Sequence, residues 1–591
     1  ARWFYARVLG LDRPDGGGSL IGQAPPATIG EALRKARAMA FARKQESPSW
    51  GAYQHYGRAS DKLIAISNAP SPDDTSAQTA PPAGLVILKS VPSSSAPAFS
   101  GAANMTVQDQ PAAKTADPNL IYVNGIDFET GTYAFAPRSI DDMAKQVLVH
   151  PGIDTFSRMR DDHARSFALP FDMSPDKLEE SGWGIIFHEK TPQPVRDALE
   201  PLIALRRTQA GGLFKMLDYK KGEQTRDWYI RHATSPANID PAIVPYYLLL
   251  VGPPDLIPFE FQYLLGIDYA VGRLAFDTPA EYERYARSMV AYEGAASVPN
   301  GKEISYWGTR HLGDPATEMS ASQLVEPLAN GMAGATGALK QAVHEKLGYG
   351  RKLRLGDDAT KASLLEALHG PKPPAMLFTA SHGMAVRSGR PDQTSTQGAL
   401  LCQDWPGFGS VKADHFLAAS DIANDANVNG VVALLFACFG AGTPDADQFL
   451  MDLSQAGKSP PLAPQPFVAA LPRRLLAHPN GSALAVIGHI DRAWGYSIQS
   501  PKVSDPQISP FRNSIGTILT GGRVGHATCS QFGSRYSTLS VLLLNATSPT
   551  AANASRLSDR DLVARWLERN DAQNYVVLGD PAVRIRNDLL S

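Results

Sequence analysis

Two apolar runs in the second half of the chain, the first mostly and the second continuously apolar, end in a histidine and a cysteine that are closely followed by glycine. They read LFTASHGM at 377–384 and GVVALLFACFGAGTP at 430–444. A continuous apolar run bounded by turn residues is typical of a strand covered on both faces, as in a parallel sheet. We predict that His382 and Cys438 are the last residues of two such strands, at the sheet edge where open α/β folds place their sites.

Apolar strands alternate with helical stretches from about residue 121 onward. This alternation is typical of βαβ units, so we predict an α/β fold with a mostly parallel sheet. The predicted strands include GWGIIFHE, GLFKMLDY, YYLLLVG, YAVGRLAF, EISYWGTR and ALAVIGHID, and the predicted helices include PQPVRDALEPLIALRRTQ, TRDWYIRHAT and PAEYERYARSMVAYE.

The first 119 residues differ in composition from the rest of the chain. Residues 1–66 contain one predicted helix, IGEALRKARAMAFARKQ, and are read as a helical segment. Residues 67–119 are rich in Ser, Ala, Pro, Thr and Asp, and such a segment has little apolar area to bury. We predict a low-complexity linker there, and we expect any regulatory partner to bind the N-terminal region.

The overall composition excludes several kinds of partner. Charged residues make up 19% of the 591 residues, apolar residues 43%, and the formal net charge is -2. Without a basic excess, direct binding of nucleic acid or of an acidic membrane surface is not expected. The apolar runs are shorter than the roughly 18 to 20 residues of a membrane-spanning helix.

Cysteine usage and the start of the chain bear on the compartment. Three cysteines cannot build a disulfide framework and favour a reducing compartment, so we predict the cytoplasm. The sequence begins at Ala1 with no charged and apolar leader, which indicates a processed form or a fragment.

Three common catalytic motifs are missing from the sequence. No glycine-rich loop leads into Lys-Ser or Lys-Thr, as a P-loop requires. The pairs His188-Glu189 and His344-Glu345 lack the second histidine four residues on that the zinc-protease helix needs. There is no Gly-x-Ser-x-Gly nucleophile elbow.

A histidine and a cysteine at neighbouring strand ends can form a catalytic pair. The thiolate is the nucleophile, and a cysteine at neutral pH is mostly protonated, so a base within reach is required. His382 precedes Cys438 by the length of one strand–helix crossover, which predicts neighbouring strands. The amides of Gly383 and Cys438 are candidates to bind a developing oxyanion. The alternative is that both side chains only fill the core, as we expect for Cys402 and Cys529.

Several blocks of the chain, in order, resemble the caspase-fold cysteine peptidases and, among these, the gingipain and CHAT-like branch. LFTASHGM and LLFACFGAGTP resemble the His-Gly and Ala-Cys-x-Gly blocks of that fold. The gingipain-like blocks are YYLLLVGPPDLIP with DYAVGRLAFDTPAEYERYARSMVAYE, then GHIDRAWGYSI, then VVLGDPAVRIR at 576–586. The resemblance implies a three-layer αβα sandwich with a smaller α/β subdomain at 120–300 before the catalytic domain at 301–591.

The resemblance also implies a function, that of a regulated bacterial cysteine endopeptidase with a protein or peptide substrate. It makes His382 the proton acceptor and donor, Cys438 the nucleophile and Gly383 an oxyanion donor, and it makes Trp494 a flat wall of the pocket for the P1 side chain. No cofactor is required, and the resemblance allows a structural calcium ion. Asp580 lies in a Gly-Asp-Pro block that we interpret as a structural turn.

The acidic residues near the site depart from the gingipain pattern. Gingipains carry an acidic orienting residue in the stretch that matches YWGTRHLGDPATEMSASQ, but neither Asp314 nor Glu318 aligns with it, so whether a third catalytic residue exists stays open. With Ser320 near the pocket base, we expect an uncharged or apolar P1 residue, unless Asp491 supplies a charge. Asp445 is a candidate for the substrate cleft or for a helix cap.

Two other functions remain open. The chain could be a catalytically silent scaffold of the same fold that binds partners through its N-terminal segment, although the intact histidine and cysteine argue against this. It could also be an acyltransferase or ligase that uses the same pair with an amine acceptor.

Overall fold

The computed structural model describes residues 119–121, 125–149, 169–170, 173–236, 239–332, 339–449, 459–493, 495, 498, 506–547 and 557–591. All of these belong to the second of the two units into which the chain divides, residues 115–591, whereas the first unit is residues 1–114. The predicted helical segment 1–66 and the predicted linker up to residue 118 therefore lie outside the described residues.

The described residues form eighteen strands, ten of which make up one central sheet. In chain order the strands are β1 (Leu120–Ile121), β2 (Ile126–Asp127), β3 (Arg138–Ser139), β4 (Trp183–His188), β5 (Phe214–Tyr219), β6 (Tyr247–Val251), β7 (Ala270–Leu274), β8 (Gly301–Gly308), β9 (Gly350–Leu355), β10 (Pro374–Ala380), β11 (Met384–Ala385), β12 (Leu400–Leu401), β13 (Phe416–Leu417), β14 (Val432–Phe436), β15 (Gly442–Thr443), β16 (Phe467–Val468), β17 (Ala485–His489) and β18 (Tyr575–Gly579).

The central sheet consists of two parallel halves that run in opposite directions. Its strand order is β5-β4-β6-β7-β18-β17-β14-β10-β8-β9. Every neighbouring pair is parallel except β17 and β18, which pair antiparallel over five residues. The C-terminal ends of β8, β10, β14 and β17 therefore lie along one edge of the sheet, and those of the other half point the opposite way.

Apolar side chains on both faces explain why these segments form central strands. Every residue of β4, β6, β7, β10, β14, β17 and β18 is buried, so helices and loops cover the sheet on its two sides. The predicted α/β fold with a mostly parallel sheet is confirmed.

Helices connect most of the strands. The described α-helices are Ile140–Val149, Leu178–Ser181, Gln193–Ala198, Glu200–Ala210, Thr225–Arg231, Phe259–Leu265, Pro279–Gly294, Pro315–Ser320, Glu326–Asn330, Val343–Lys346, Lys361–His369, Gln393–Thr396, Ala470–Leu476, Ser509–Leu519, Val524–Thr528, Ser534–Thr547 and Asp559–Asn574. Two of them continue into short π-helical turns, at Ala321–Val325 and Cys529–Gly533. None of the helices within the described residues is long and apolar enough to cross a membrane.

The connection between β10 and β14 differs from the predicted strand–helix crossover. Its only α-helix, Gln393–Thr396, has 4 residues, and the rest of this fully described stretch forms short strands, turns and two short 3₁₀ helices, Ala413–His415 and Ala419–Asp421. Two of these short strands pair antiparallel, β12 with β13, and β11 pairs parallel with β2 from near the start of the described chain. The side chains of these short strands and of the turns beside them form a small apolar cluster that contains Ile126, Met384, Leu401, Trp405, Val411 and Phe416.

Candidate active site

Four neighbouring strands bring polar side chains to the same edge of the sheet. Ala380 of β10 is paired with Phe436 of β14, and His382 and Cys438 each follow two residues later. The strands thus end two residues before the predicted positions, but both side chains leave the sheet at the same level. Asp314 follows β8 and Asp491 follows β17, the outer neighbours of this pair of strands.

Both ring nitrogens of His382 have hydrogen-bond partners. Its Nδ1 accepts a hydrogen bond of 3.1 Å from the backbone N–H of Gly125, and its Nε2 lies 2.6 Å from Oδ2 of Asp314. A nitrogen that accepts from an N–H carries no proton, so Nε2 is the protonated position and donates to the carboxylate. The ring of Tyr133 meets the His382 ring edge to face, with 5.7 Å between the centroids.

Asp314 contacts His382, and the sequence reasoning did not assign it to the candidate site. It is the N-cap of the helix Pro315–Ser320, where its carboxylate accepts from the amides of Ala316 and Thr317, and it also accepts from the Tyr133 hydroxyl. Burial alone would raise the pKa of this carboxyl, but the neighbouring His382 and hydrogen bonds to the carboxylate hold the pKa below its usual value. An ionised acid on Nε2 is therefore present, and the pattern Gly-Asp-Pro just past a buried strand was its signal.

Cys438 is completely buried beside the loop that follows β17. The backbone N–H of Ala493 donates to its Sγ at 3.3 Å. Burial raises the pKa of the thiol to about 12, although the Ala493 amide opposes this shift. The next residue, Phe439, has a φ of 58°, an uncommon value for a residue with a side chain. Strained backbone of this kind often accompanies functional residues, and here it directs the chain sharply away after the cysteine.

Gly383 approaches the backbone of Cys438 too closely for any other residue. A Cβ at this position would lie 1.8 Å from the carbonyl oxygen of Cys438, so a glycine is required. Within the described part of the chain, the amides of Gly383 and Cys438 donate no hydrogen bond to another group. The two amides are thus adjacent groups that could bind an oxyanion.

The predicted substrate-binding residues are scattered around this centre. Trp494 lies outside the described residues, and Asp445 is exposed on the loop after β15. Ser320 is buried, and its hydroxyl donates to the carbonyl of Thr317 within its own helix. Glu318 pairs with Arg310 at the surface.

Asp491 supports the turn that follows Cys438 from inside the protein. Its side chain is completely buried and paired with Arg492, and burial raises the pKa of its carboxyl to about 6 against the opposing effect of that arginine. Its backbone carbonyl accepts from the Phe439 amide at 2.8 Å. The carboxylate is therefore engaged in an internal ion pair rather than exposed in a cleft.

Metal-binding side chains are not gathered at this edge. Among the residues that the structure describes, no three or more His, Cys, Asp or Glu side chains come together as they would around a metal ion. We therefore assign no calcium site.

Comparisons with known proteins give distant structural likenesses only. No family model and no curated protein matches the chain. A solved protease structure is 13% identical with a TM-score of 0.40, over 69% of this chain and 80% of that chain. The Arg-specific cysteine proteinase gingipain R is 12% identical with a TM-score of 0.38, over 69% and 79% of the two chains. A chain of the Saccharomyces cerevisiae separase–securin complex is 10% identical with a TM-score of 0.26, over 57% of this chain and 15% of that one.

At TM-scores this low the likenesses leave the site to be argued from its own geometry. That geometry is a buried thiol beside a histidine whose far nitrogen is held by an ionised acid, with two backbone amides next to the sulfur.

Proposed function

We propose that this protein is a cysteine endopeptidase in which Cys438 is the nucleophile and His382 the general acid and base. The observation that carries the proposal is that both side chains follow adjacent parallel strands at the same level, while Asp314 fixes Nε2 of the histidine. A base that is held in one tautomer by a buried acid is the arrangement that activates a nucleophile in acyl transfer.

The chemistry follows from the tautomer of His382. Because Nε2–H is bound to Asp314, Nδ1 is the nitrogen that acts as base. Nδ1 takes the thiol proton as Sγ of Cys438 attacks the scissile carbonyl carbon, and the resulting oxyanion accepts hydrogen bonds from the amides of Gly383 and Cys438. Nδ1–H then protonates the leaving amine as the C–N bond breaks.

The second half of the reaction returns the enzyme to its starting state. A water molecule gives its proton to Nδ1 and attacks the thioester carbonyl. The C–S bond breaks, the peptide leaves as a carboxylic acid, and the thiolate regains the proton from His382. Asp314 stabilises the imidazolium in both halves by its charge.

A catalytically silent scaffold is the second candidate, and the burial of Cys438 is the observation that favours it. A thiol that is wholly inside the protein, with a pKa raised to about 12 by that burial, cannot meet a peptide without a local rearrangement.

The acyltransferase alternative is tested by adding an amine to the reaction. Transfer of the acyl group to that amine instead of water would identify an acyltransferase.

A fluorogenic peptide library with varied P1 residues tests the proposal. We expect hydrolysis by the full chain, with a preference for an uncharged or apolar P1 side chain. Replacement of either member of the pair, in Cys438→Ala or His382→Ala, should remove hydrolysis to a similar extent because the two act as a unit. Cys402→Ala is the matched control, since it truncates another buried cysteine, whose Sγ donates to the carbonyl of Leu400.

The outcome that contradicts the assignment is a Cys438→Ala protein with activity within about tenfold of the unmodified chain. Strict cleavage after arginine or lysine would contradict only the expected P1 preference.

A further inference from the structure

One segment near the start of the described chain lies across the two catalytic residues. We call residues 125–135 the blocking segment. The N–H of Gly125 is bonded to Nδ1 of His382, and a side chain at position 125 would be only 3.7 Å from both Cβ and Sγ of Cys438. Gly125 therefore binds His382 and lies close to Cys438.

Backbone pairing and apolar contacts hold the first part of the blocking segment in place. Its strand β2 pairs with β11, which begins two residues after His382, and the amide of Phe128 donates to the carbonyl of Ala385. Ile126 is buried in the small apolar cluster, and the ring of Phe128 packs edge to face on that of Phe416.

The second part of the blocking segment covers the acid that orients the histidine. The Tyr133 hydroxyl donates to Oδ1 of Asp314, and its ring lies against His382. Phe135 packs on the guanidinium of Arg492, with 4.1 Å between Cζ of the arginine and the centre of the ring. The next residue, Ala493, donates its amide to Sγ of Cys438. The segment is thus in contact with the residues that follow β8, β10, β14 and β17.

This position conflicts with the proposed chemistry at one atom. Nδ1 is the nitrogen that must accept the thiol proton and later protonate the leaving amine, yet its lone pair is occupied by the Gly125 amide. Gly125 also lies close to Cys438, and His382 and Cys438 are each no more than 1% exposed. While Gly125 stays where it is, Nδ1 has no lone pair with which to accept the thiol proton.

We propose that the blocking segment is an autoinhibitory element, and that activity requires residues 125–135 to leave the catalytic pair. This proposal rests on the proposed endopeptidase function. The alternative role for the segment is a structural one, in which the Gly125 amide and Tyr133 keep His382 and Asp314 in their working positions.

The contacts of the segment make its release by local opening feasible. Gly125 has a φ of +109°, a conformation in which glycine has no steric penalty and other residues do. The first part of the segment is attached by a two-residue strand pair and a small apolar cluster separate from the main core, whereas Ala134 and Phe135 in its second part pack against the main core. Segments with few buried contacts open with free energies well below that of global unfolding.

Two substitutions weaken the segment without replacing His382, Cys438 or Asp314. Gly125→Ala places a side chain at a backbone angle that disfavours it, and Phe128→Ala removes the ring that packs on Phe416. Phe214→Ala is the matched control, because Phe214 is another half-buried ring in an aromatic contact, at the far edge strand β5.

The experiment measures two rates on the full chain and each variant. The first is the alkylation of Cys438 by iodoacetamide, followed by peptide mass mapping with Cys529 as the internal reference. The second is hydrolysis of the fluorogenic peptides. We expect both rates to rise about tenfold in Gly125→Ala and in Phe128→Ala, since the reactive population grows as the closed state is weakened. Phe214→Ala should leave both rates unchanged.

The outcomes separate this proposal from the proposed function. Faster alkylation of Cys438 without peptide hydrolysis supports the blocking role and rejects the endopeptidase. Peptide hydrolysis that falls in both variants, or alkylation that does not rise in either, overturns the blocking role and leaves the segment as a structural support. Hydrolysis and alkylation that rise together support both.

Discussion

Asp314 combines a local and a long-range role in one carboxylate. Locally, it accepts from the first amides of the helix Pro315–Ser320, as an N-cap residue does. Over a longer range, it receives Nε2–H of His382, which is 68 positions further along the chain. The cap fixes the carboxylate, and the carboxylate fixes the tautomer, so a helix start positions His382, the proposed general base.

The substitution Asp314→Asn tests this positioning role. Asparagine caps helices well, so the fold should be retained, but a neutral amide cannot stabilise the imidazolium. We expect kcat to fall by about 10²- to 10⁴-fold with little change in KM, and the acidic limb of the pH–rate profile to move. Steady-state kinetics on the peptide substrates across pH measure both effects.

Glu318→Gln is the control for that experiment, since Glu318 is the other acid of the same helix and pairs with Arg310 at the surface. Its kcat should stay near that of the unmodified chain. A loss of kcat in Glu318→Gln equal to that in Asp314→Asn would contradict the assigned positioning role.

At the scale of elements, the turn after β18 connects distant parts of the first half of the sheet. The buried carboxylate of Asp580 accepts from Nε1 of Trp183 at 2.9 Å and from Nε of Arg206 at 2.7 Å. Arg206 is itself fully buried and also pairs with Glu293. The Gly-Asp-Pro block, interpreted from sequence as a structural turn, lies at a buried polar network far from the catalytic pair.

Asp580→Ala should therefore lower stability and leave the chemistry intact. Removing Asp580 leaves the buried guanidinium of Arg206 with one carboxylate instead of two. We expect a loss of about 3 kcal/mol in the free energy of unfolding, limited to that size because Glu293 still pairs with Arg206. Denaturant titration measures it. Asp588→Ala, which removes an Asp that is 58% exposed and paired with Arg586, should cost less than about 1 kcal/mol. Equal losses in the two variants would show that burial of the Asp580 network has no special role.

Local pattern explains which elements could be predicted from the sequence. The buried strands such as β6, β10 and β14 each have a mostly apolar sequence. A strand that is covered on both faces has no solvent-facing positions, so its sequence does not alternate between apolar and polar residues. The placement of His382 beside Cys438 followed from the same runs. The short strands between β10 and β14 have no such run, and a helix was expected there instead.

Long-range pairing explains what could not be predicted. Gly125 and His382 are 257 positions apart, and a hydrogen bond over that distance leaves no periodicity in either segment. The antiparallel insertion of β18 between β7 and β17 is equally invisible, because an apolar strand reads the same in either direction. Asp314 was set aside because it did not align with the acidic residue of the gingipain pattern, and its contact with His382, 68 positions further on, leaves no signal in the local sequence.

At the scale of the whole molecule, the two parallel halves of the sheet interlock. The last strand of the chain, β18, completes the half formed by β4 to β7 and also pairs with β17 of the other half. The helix Pro279–Gly294 reinforces the junction, because Tyr285 donates from its hydroxyl to the carbonyl of Leu484 and Arg284 donates to the carbonyl of Ala477. One continuous apolar core contains residues from both halves.

These contacts predict that residues on either side of position 300 unfold together, although the sequence suggests two subdomains that meet there. Hydrogen exchange followed by mass spectrometry in rising denaturant measures this, with peptides covering β6 for one half and β14 for the other. We expect both peptides to lose protection at the same denaturant concentration, because opening either half would expose an edge of the β17–β18 pair and part of the shared core. Asp580→Ala should shift the exchange midpoints of the β6 and β14 peptides equally. Its two partners, Trp183 and Arg206, both belong to the half of the sheet that contains β6. If β14 stayed protected after β6 had exchanged, and only the β6 midpoint moved in Asp580→Ala, the halves would be independent folding units.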